Sequence, residues 1–151
     1  MKKIYILPAL LSLLGIADAL YLTIEHVTGR TVQCTILSGC SEVLSSPYAV
    51  VAGIPLAAVG AAAYFTVFSL AILALFGYSI AGKILTPFVI AMFFVSVWLF
   101  YLQAFVIRHF CQFCLISAAI TTCLLVIVLS LRWFRPNSNK ATHPPATARW
   151  F

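Results

Sequence analysis

Charge is what this sequence has least of. Nine lysines and arginines and only three acidic residues make up 8% of the 151 residues. A soluble domain holds nearer a quarter, so a water-soluble globular fold is excluded. Mean hydropathy is +1.11 and 64% of the chain is hydrophobic. No haem, flavin or metal-binding motif and no internal repeat is present. The net charge of +6 is carried by residues flanking apolar runs, which fits membrane topology rather than nucleic-acid binding.

Four apolar runs, near 4–26, 53–76, 84–107 and 111–133, are long enough to cross a hydrocarbon core that takes about 20 residues. The expected fold is an all-α membrane protein, a four-helix bundle over residues 1–134 with a disordered polar tail over 135–151. Placing the N-terminus in the cytoplasm puts seven basic residues on the inner side and only Arg30 and Arg108 on the outer side. Asp18, Glu25 and Glu42 then fall in the outer half. "MKK" with "ADA" imitates a cleaved signal peptide, but the apolar run continues through "LYLTI".

The first loop, about 27–52, carries a short interfacial helix within "CSEVLSSPYAVVAGIP". Ser46 and Pro47 suit an N-cap and first turn. Gly53 and Pro55 suggest the bend into the second span, and Gly53, Ala57 and Ala61, with Gly60 alongside, form a small-residue series for its close packing. The third span is aromatic, with Phe88, Phe93, Phe94, Trp98, Phe100, Tyr101 and Phe105. Lipid contact explains most of these, with a minority available to line a pocket.

Cysteine is scarce too, with five residues, yet four of them come in pairs. Cys111 and Cys114 stand at the start of the fourth span. A helix N-terminus offers unpaired N–H groups and partial positive charge, which favour a thiolate. Arg108 and His109 add positive charge upstream. Cys34 and Cys40 sit in the first loop, free to meet a soluble partner and then the fixed pair. Two pairs on the outer, oxidising side read as a thiol–disulfide relay. A lipid-soluble quinone is the natural acceptor, and Cys114, about one turn deeper than Cys111, faces it. The same cysteines also admit two inert structural disulfides or a zinc site, although five intervening residues lie outside the usual zinc spacing. Cys123 reads as a packing residue and His26 as an interface residue. Asp18, a carboxylate within a span, is a functional candidate, with solvation or pairing as its plain alternative.

"ADALYLTIEH", then Cys34 and Cys40 with "GCSEVLSSPYAVVAGIPLAAVGAAAY", then "FCQFCLIS", resemble the vitamin K epoxide reductase family in its bacterial form, over about residues 10–120. The resemblance implies four helices around a quinone, ubiquinone or menaquinone, capped by the first loop. It implies that a thioredoxin-fold, DsbA-like thiol oxidase is reoxidised. Cys34 would exchange with that partner, Cys40 would relay to Cys111, and Cys114 would react with the quinone. Ser46 matches a serine of the family motif. Many bacterial members carry a fused thioredoxin-like domain, so the expectation here is a separate partner. Animal members carry an asparagine before the second helix and a tyrosine after the last cysteine. Ala49 and Ala118 stand there, which points to plain quinone reduction. The rivals are a DsbB-type quinone-linked disulfide generator and a non-catalytic membrane scaffold stapled by disulfides.

Overall fold

The computed structural model describes residues 2–30, 32, 34–36 and 39–133. The tail expected over 135–151 lies outside them.

A 3₁₀ turn, Lys2–Tyr5, leads into α1, Ile6–Thr28. Helix α1 ends because Gly29 adopts φ +65° and turns the Gly29 and Arg30 N–H groups back to the carbonyls of His26 and Glu25. That left-handed residue is the common glycine stop of helices. The following loop contains α2, Cys40–Leu44, a 3₁₀ turn, Pro47–Ala49, and a hairpin of β1, Val50–Val51, with β2, Ile54–Pro55. Ala52 and Gly53, with φ of +53° and +82°, make its two-residue turn, a conformation that matches strand twist.

Two details depart from expectation here. Gly53 belongs to this turn and not to the second span, which starts at Leu56, so only Ala57, Gly60 and Ala61 sit on that helix. Its glycine answers a backbone demand, and a Cβ there would meet no neighbour. Ser46 precedes the 3₁₀ turn but does not cap it, since its hydroxyl donates back to the Val43 carbonyl at 2.7 Å.

Helix α3, Leu56–Leu75, joins α4, Ser79–Tyr101, through a short turn at Gly77, φ +103°. The third span therefore begins at Ser79 rather than 84, with Lys83 on the helix. A lysine near a helix end can extend its ammonium group to the interface. Helix α4 continues as a π-helical segment, Leu102–Ile107, stopped by Arg108 at φ +57°. Helix α5, Gln112–Trp133, completes the bundle.

Helix α1 lies along α3, and α5 closes against α4 and α1. Tyr64 of α3 is the central piece. Its ring fills the space left by Gly15, where a Cβ would come within 2.5 Å of the ring. Its hydroxyl is within 2.8 Å of both the Ser117 carbonyl and hydroxyl and 2.9 Å of the Thr121 hydroxyl. One side chain thus ties α1, α3 and α5 together. Val67, Leu85, Val89 and Leu124 are fully buried around it.

The outward faces are apolar. Phe94, Trp98, Phe100, Tyr101 and Phe105 of α4 are all exposed, which suits lipid contact. Cys123 is exposed as well and does not pack inside the bundle. A uniformly apolar helix gives no periodicity to tell its lipid face from its bundle face. Four helices of this length and composition make the chain a multi-pass membrane protein.

Candidate active site

The loop folds back so that all four paired cysteines share one cluster with Leu22, Val32, Val43 and Phe113. Cys34 and Cys40 are joined as a disulfide, with Cα atoms 5.9 Å apart. Cys111 and Cys114 are free thiols. Cys40 and Cys111 are fully buried, whereas Cys34 is half-exposed.

Several contacts fix this arrangement. A Cβ added at Gly39 would lie 2.8 Å from the Phe110 carbonyl, so only glycine lets the loop approach the turn before α5 so closely. The Ile36 N–H and the Thr35 hydroxyl donate to the side-chain oxygen of Gln112, at 3.2 and 3.4 Å. Gln112 stands between the two free cysteines in sequence and docks the loop on their helix.

Cys111 sits just ahead of α5, and its carbonyl accepts from the Leu115 N–H at 3.1 Å. Its thiol is held below the ordinary thiol range, first by a hydrogen bond from the Cys114 thiol. Burial opposes that effect, and the N–H groups of Cys114 and Phe113 assist it. The helix start thus does what its position suggests, through donors rather than through Arg108 or His109, which are exposed.

Gln103 is the residue that the sequence does not announce. It is buried in the π-helical segment, and its side-chain oxygen accepts the Cys111 N–H at 3.1 Å. It lines the same cavity as Cys114. A π-turn adds a residue to the helical repeat and turns Gln103 toward the cysteines. The signal available in the sequence was one amide within a long apolar run.

Beneath the cluster lies a cavity of about 140 Å³. Its wall is mainly aliphatic, from Ala19, Leu22, Leu56, Ala57, Leu99 and Leu102 among others. Cys114 opens onto it; so do Asp18, His26, Ser46, Gln103 and Ser117. None of the α4 aromatics lines it, and Tyr48 of the loop does. Ala49 lines the cavity, whereas Ser117 rather than its neighbour Ala118 faces in. Among the described residues, Asp18 Oδ2 is a buried side-chain atom left without a hydrogen-bond partner.

A free cysteine pair over an apolar cavity, packed against a disulfide in a folded-back loop, has a counterpart among known families. The model of the vitamin K epoxide reductase family matches residues 6–129. The chain belongs to the vitamin K epoxide reductase family. That match runs from the first residue of α1 almost to the end of α5 and includes every element of the site. The resemblance seen in the motifs therefore holds for the whole bundle. This family member is a membrane protein with a disulfide-forming cysteine pair, Cys34–Cys40. No group of His, Cys, Asp or Glu suited to a metal occurs among the described residues.

Proposed function

We propose that the chain is a quinone-dependent thiol oxidoreductase. It reoxidises a thioredoxin-fold, DsbA-like oxidase and so drives disulfide formation in exported proteins. The bundle sits in a bacterial cytoplasmic membrane with both termini inside and the cysteines on the outer side, as the distribution of basic residues indicates.

The carrying observation is the gradation of access among the four cysteines. Cys34 is half-exposed, Cys40 and Cys111 are fully buried together, and Cys114 opens onto the cavity. The partner's dithiol attacks the Cys34–Cys40 disulfide at Cys34. The partner leaves as a disulfide, and Cys34 and Cys40 are left as thiols. Cys40 then attacks Cys111 of a Cys111–Cys114 disulfide, and Cys34 resolves the mixed disulfide. The result is a loop disulfide above two free thiols, the state described here.

The cavity suits a quinone ring. Its wall is apolar, and a few convergent polar groups, Ser46, Gln103, Ser117 and Asp18, can meet ring oxygens. When bound, a quinone supplies an acceptor for two electrons and two protons. The protein's part is to hold the ring against Cys114, exclude water and close the Cys111–Cys114 disulfide as the electrons leave.

The test is anaerobic quinol formation by the purified protein, driven by a reduced thioredoxin-fold oxidase, with Cys114→Ala beside it. Quinol from the native chain and none from Cys114→Ala is the expected result. Failure of both with ubiquinone and menaquinone analogues would favour a disulfide-stapled scaffold. In Cys34→Ala, exchange with the partner is lost first.

A further inference from the structure

We propose that Asp18 is the proton-transfer residue of the cavity, taking the thiol protons released at the Cys111–Cys114 pair and delivering them to a quinone oxygen. This rests on the quinone reading above. It adds a catalytic role to a residue that the geometry otherwise only places in the wall.

The first support is a chemical need. Closing the Cys111–Cys114 disulfide breaks two S–H bonds, forms one S–S bond and releases two electrons and two protons. The quinone accepts both of each and becomes quinol. Cys114 is the cysteine of the pair that lines the cavity, so one of the two thiol hydrogens leaves from that side. That hydrogen must leave before sulfur can give up electrons, and the surrounding wall is largely hydrocarbon.

The second support is position. Asp18 lines the same cavity as Cys114, with Oδ2 buried and unpartnered. An unmet carboxylate oxygen inside a membrane bundle is costly, and intramembrane carboxylates commonly mark proton paths. The titratable groups facing the cavity are few. His26 of α1 and Tyr48 of the loop line it, and Cys114 comes from α5; Tyr64 of α3 lies outside the lining, engaged with Ser117 and Thr121. Asp18 is the carboxyl group among them. It takes a proton from the pair, gives it to the quinone oxygen, repeats the pass once and ends as it began.

The third support is a route to water. Asp18, Leu22 and His26 follow one another at four-residue spacing along α1, and all three line the cavity. His26 stands near the end of α1, so the carboxyl group can re-equilibrate its proton through that end of the cavity.

The experiment uses the full chain in lipid nanodiscs, with Asp18→Asn and Asp18→Glu. The Cys111–Cys114 pair is reduced, mixed with a short-chain quinone, and its single-turnover reoxidation followed across the neutral pH range. Asp18→Asn should slow this step on the order of 10²-fold and flatten its pH dependence. Asp18→Glu should recover part of the rate. Exchange of Cys34–Cys40 with reduced partner should stay at the native rate in both, which also reports their folding. A second readout needs no quinone. The infrared difference between oxidised and reduced native protein should contain a carboxyl band that Asp18→Asn removes. A native rate and pH profile in Asp18→Asn would overturn the proposal. So would native protein without a redox-linked carboxyl band, which decides the matter even if Asp18→Asn does not fold. If native protein is not reoxidised by any quinone while the carboxyl band is present, the acceptor is wrong and the proton role at the cysteine pair stands.

Discussion

Cys40 of the loop and Cys111 at the head of α5 are both fully buried and pack in the same cluster. They come from segments far apart in sequence, and neither is open to solvent. Their shared burial makes an exchange between them an internal step that a soluble thiol cannot intercept. The prediction is a trapped intermediate. In Cys34→Ser/Cys114→Ser, mild oxidation should form a Cys40–Cys111 disulfide, identified by mass spectrometry after proteolysis. Recovery of both as free thiols under conditions that oxidise the native pairs would show that the two sulfurs do not meet.

The state of Cys111 predicts a pH dependence. Its thiol is held down first by the hydrogen bond from Cys114, against the upward push of burial. A lowered value means that thiolate is populated below the ordinary range, about pH 8.5 for a free cysteine. In a Cys123→Ser background with the loop disulfide intact, the ultraviolet absorbance of the Cys111 thiolate should have its midpoint on the acid side of that value. Cys114→Ala removes the donor, so the midpoint should move toward higher pH. An unmoved midpoint would mean that the backbone N–H groups alone set it.

The contact of Gly15 with Tyr64 predicts a stability effect away from the cysteines. A methyl group at Gly15 would enter the ring of Tyr64, which cannot retreat without giving up Ser117 and Thr121. Gly15→Ala should therefore destabilise the bundle by about 1–3 kcal/mol, although alanine is the better helix former. Tyr64→Phe keeps the ring and loses the hydroxyl, at a cost of about 1 kcal/mol. Thermal unfolding in one detergent would rank the two. A Gly15→Ala protein as stable as the native chain would show that the three helices can spread without cost.

The cysteines and the bundle were legible in the sequence for physical reasons. A long apolar run has few uses outside a membrane, and the Cys-x-x-Cys at the edge of one falls at the start of its helix. Cys123 was misplaced because every face of α5 is apolar, so burial leaves no pattern to read. Gly53 fitted both a bend before the second span and a packing series by spacing, and its backbone angle assigns it to the hairpin turn. Gly15 gave no sign of its role, because Tyr64 meets it only after the chain has crossed the membrane and returned. Gln103 was hidden by the π-helical segment, since ordinary helical spacing would have aimed it elsewhere.

Gln103 therefore carries the most specific remaining prediction. Its oxygen accepts the buried N–H of Cys111, and it lines the cavity together with Cys114. Leucine there fills similar space and leaves the Cys111 N–H without its partner, a loss of about 1–3 kcal/mol for a buried donor. Glutamate keeps an oxygen for that N–H but loses the amide donor. The two substitutions therefore separate anchoring from donation. Gln103→Leu should lower thermal stability and loosen the head of α5, read as faster amide hydrogen exchange at Cys111. Gln103→Glu should keep that protection yet change the reactivity of Cys114, read as altered alkylation with the other cysteines blocked. Unchanged amide protection at Cys111 in Gln103→Leu would show that the turn before α5 holds itself. Gln103 would then be a wall residue of the cavity and no anchor.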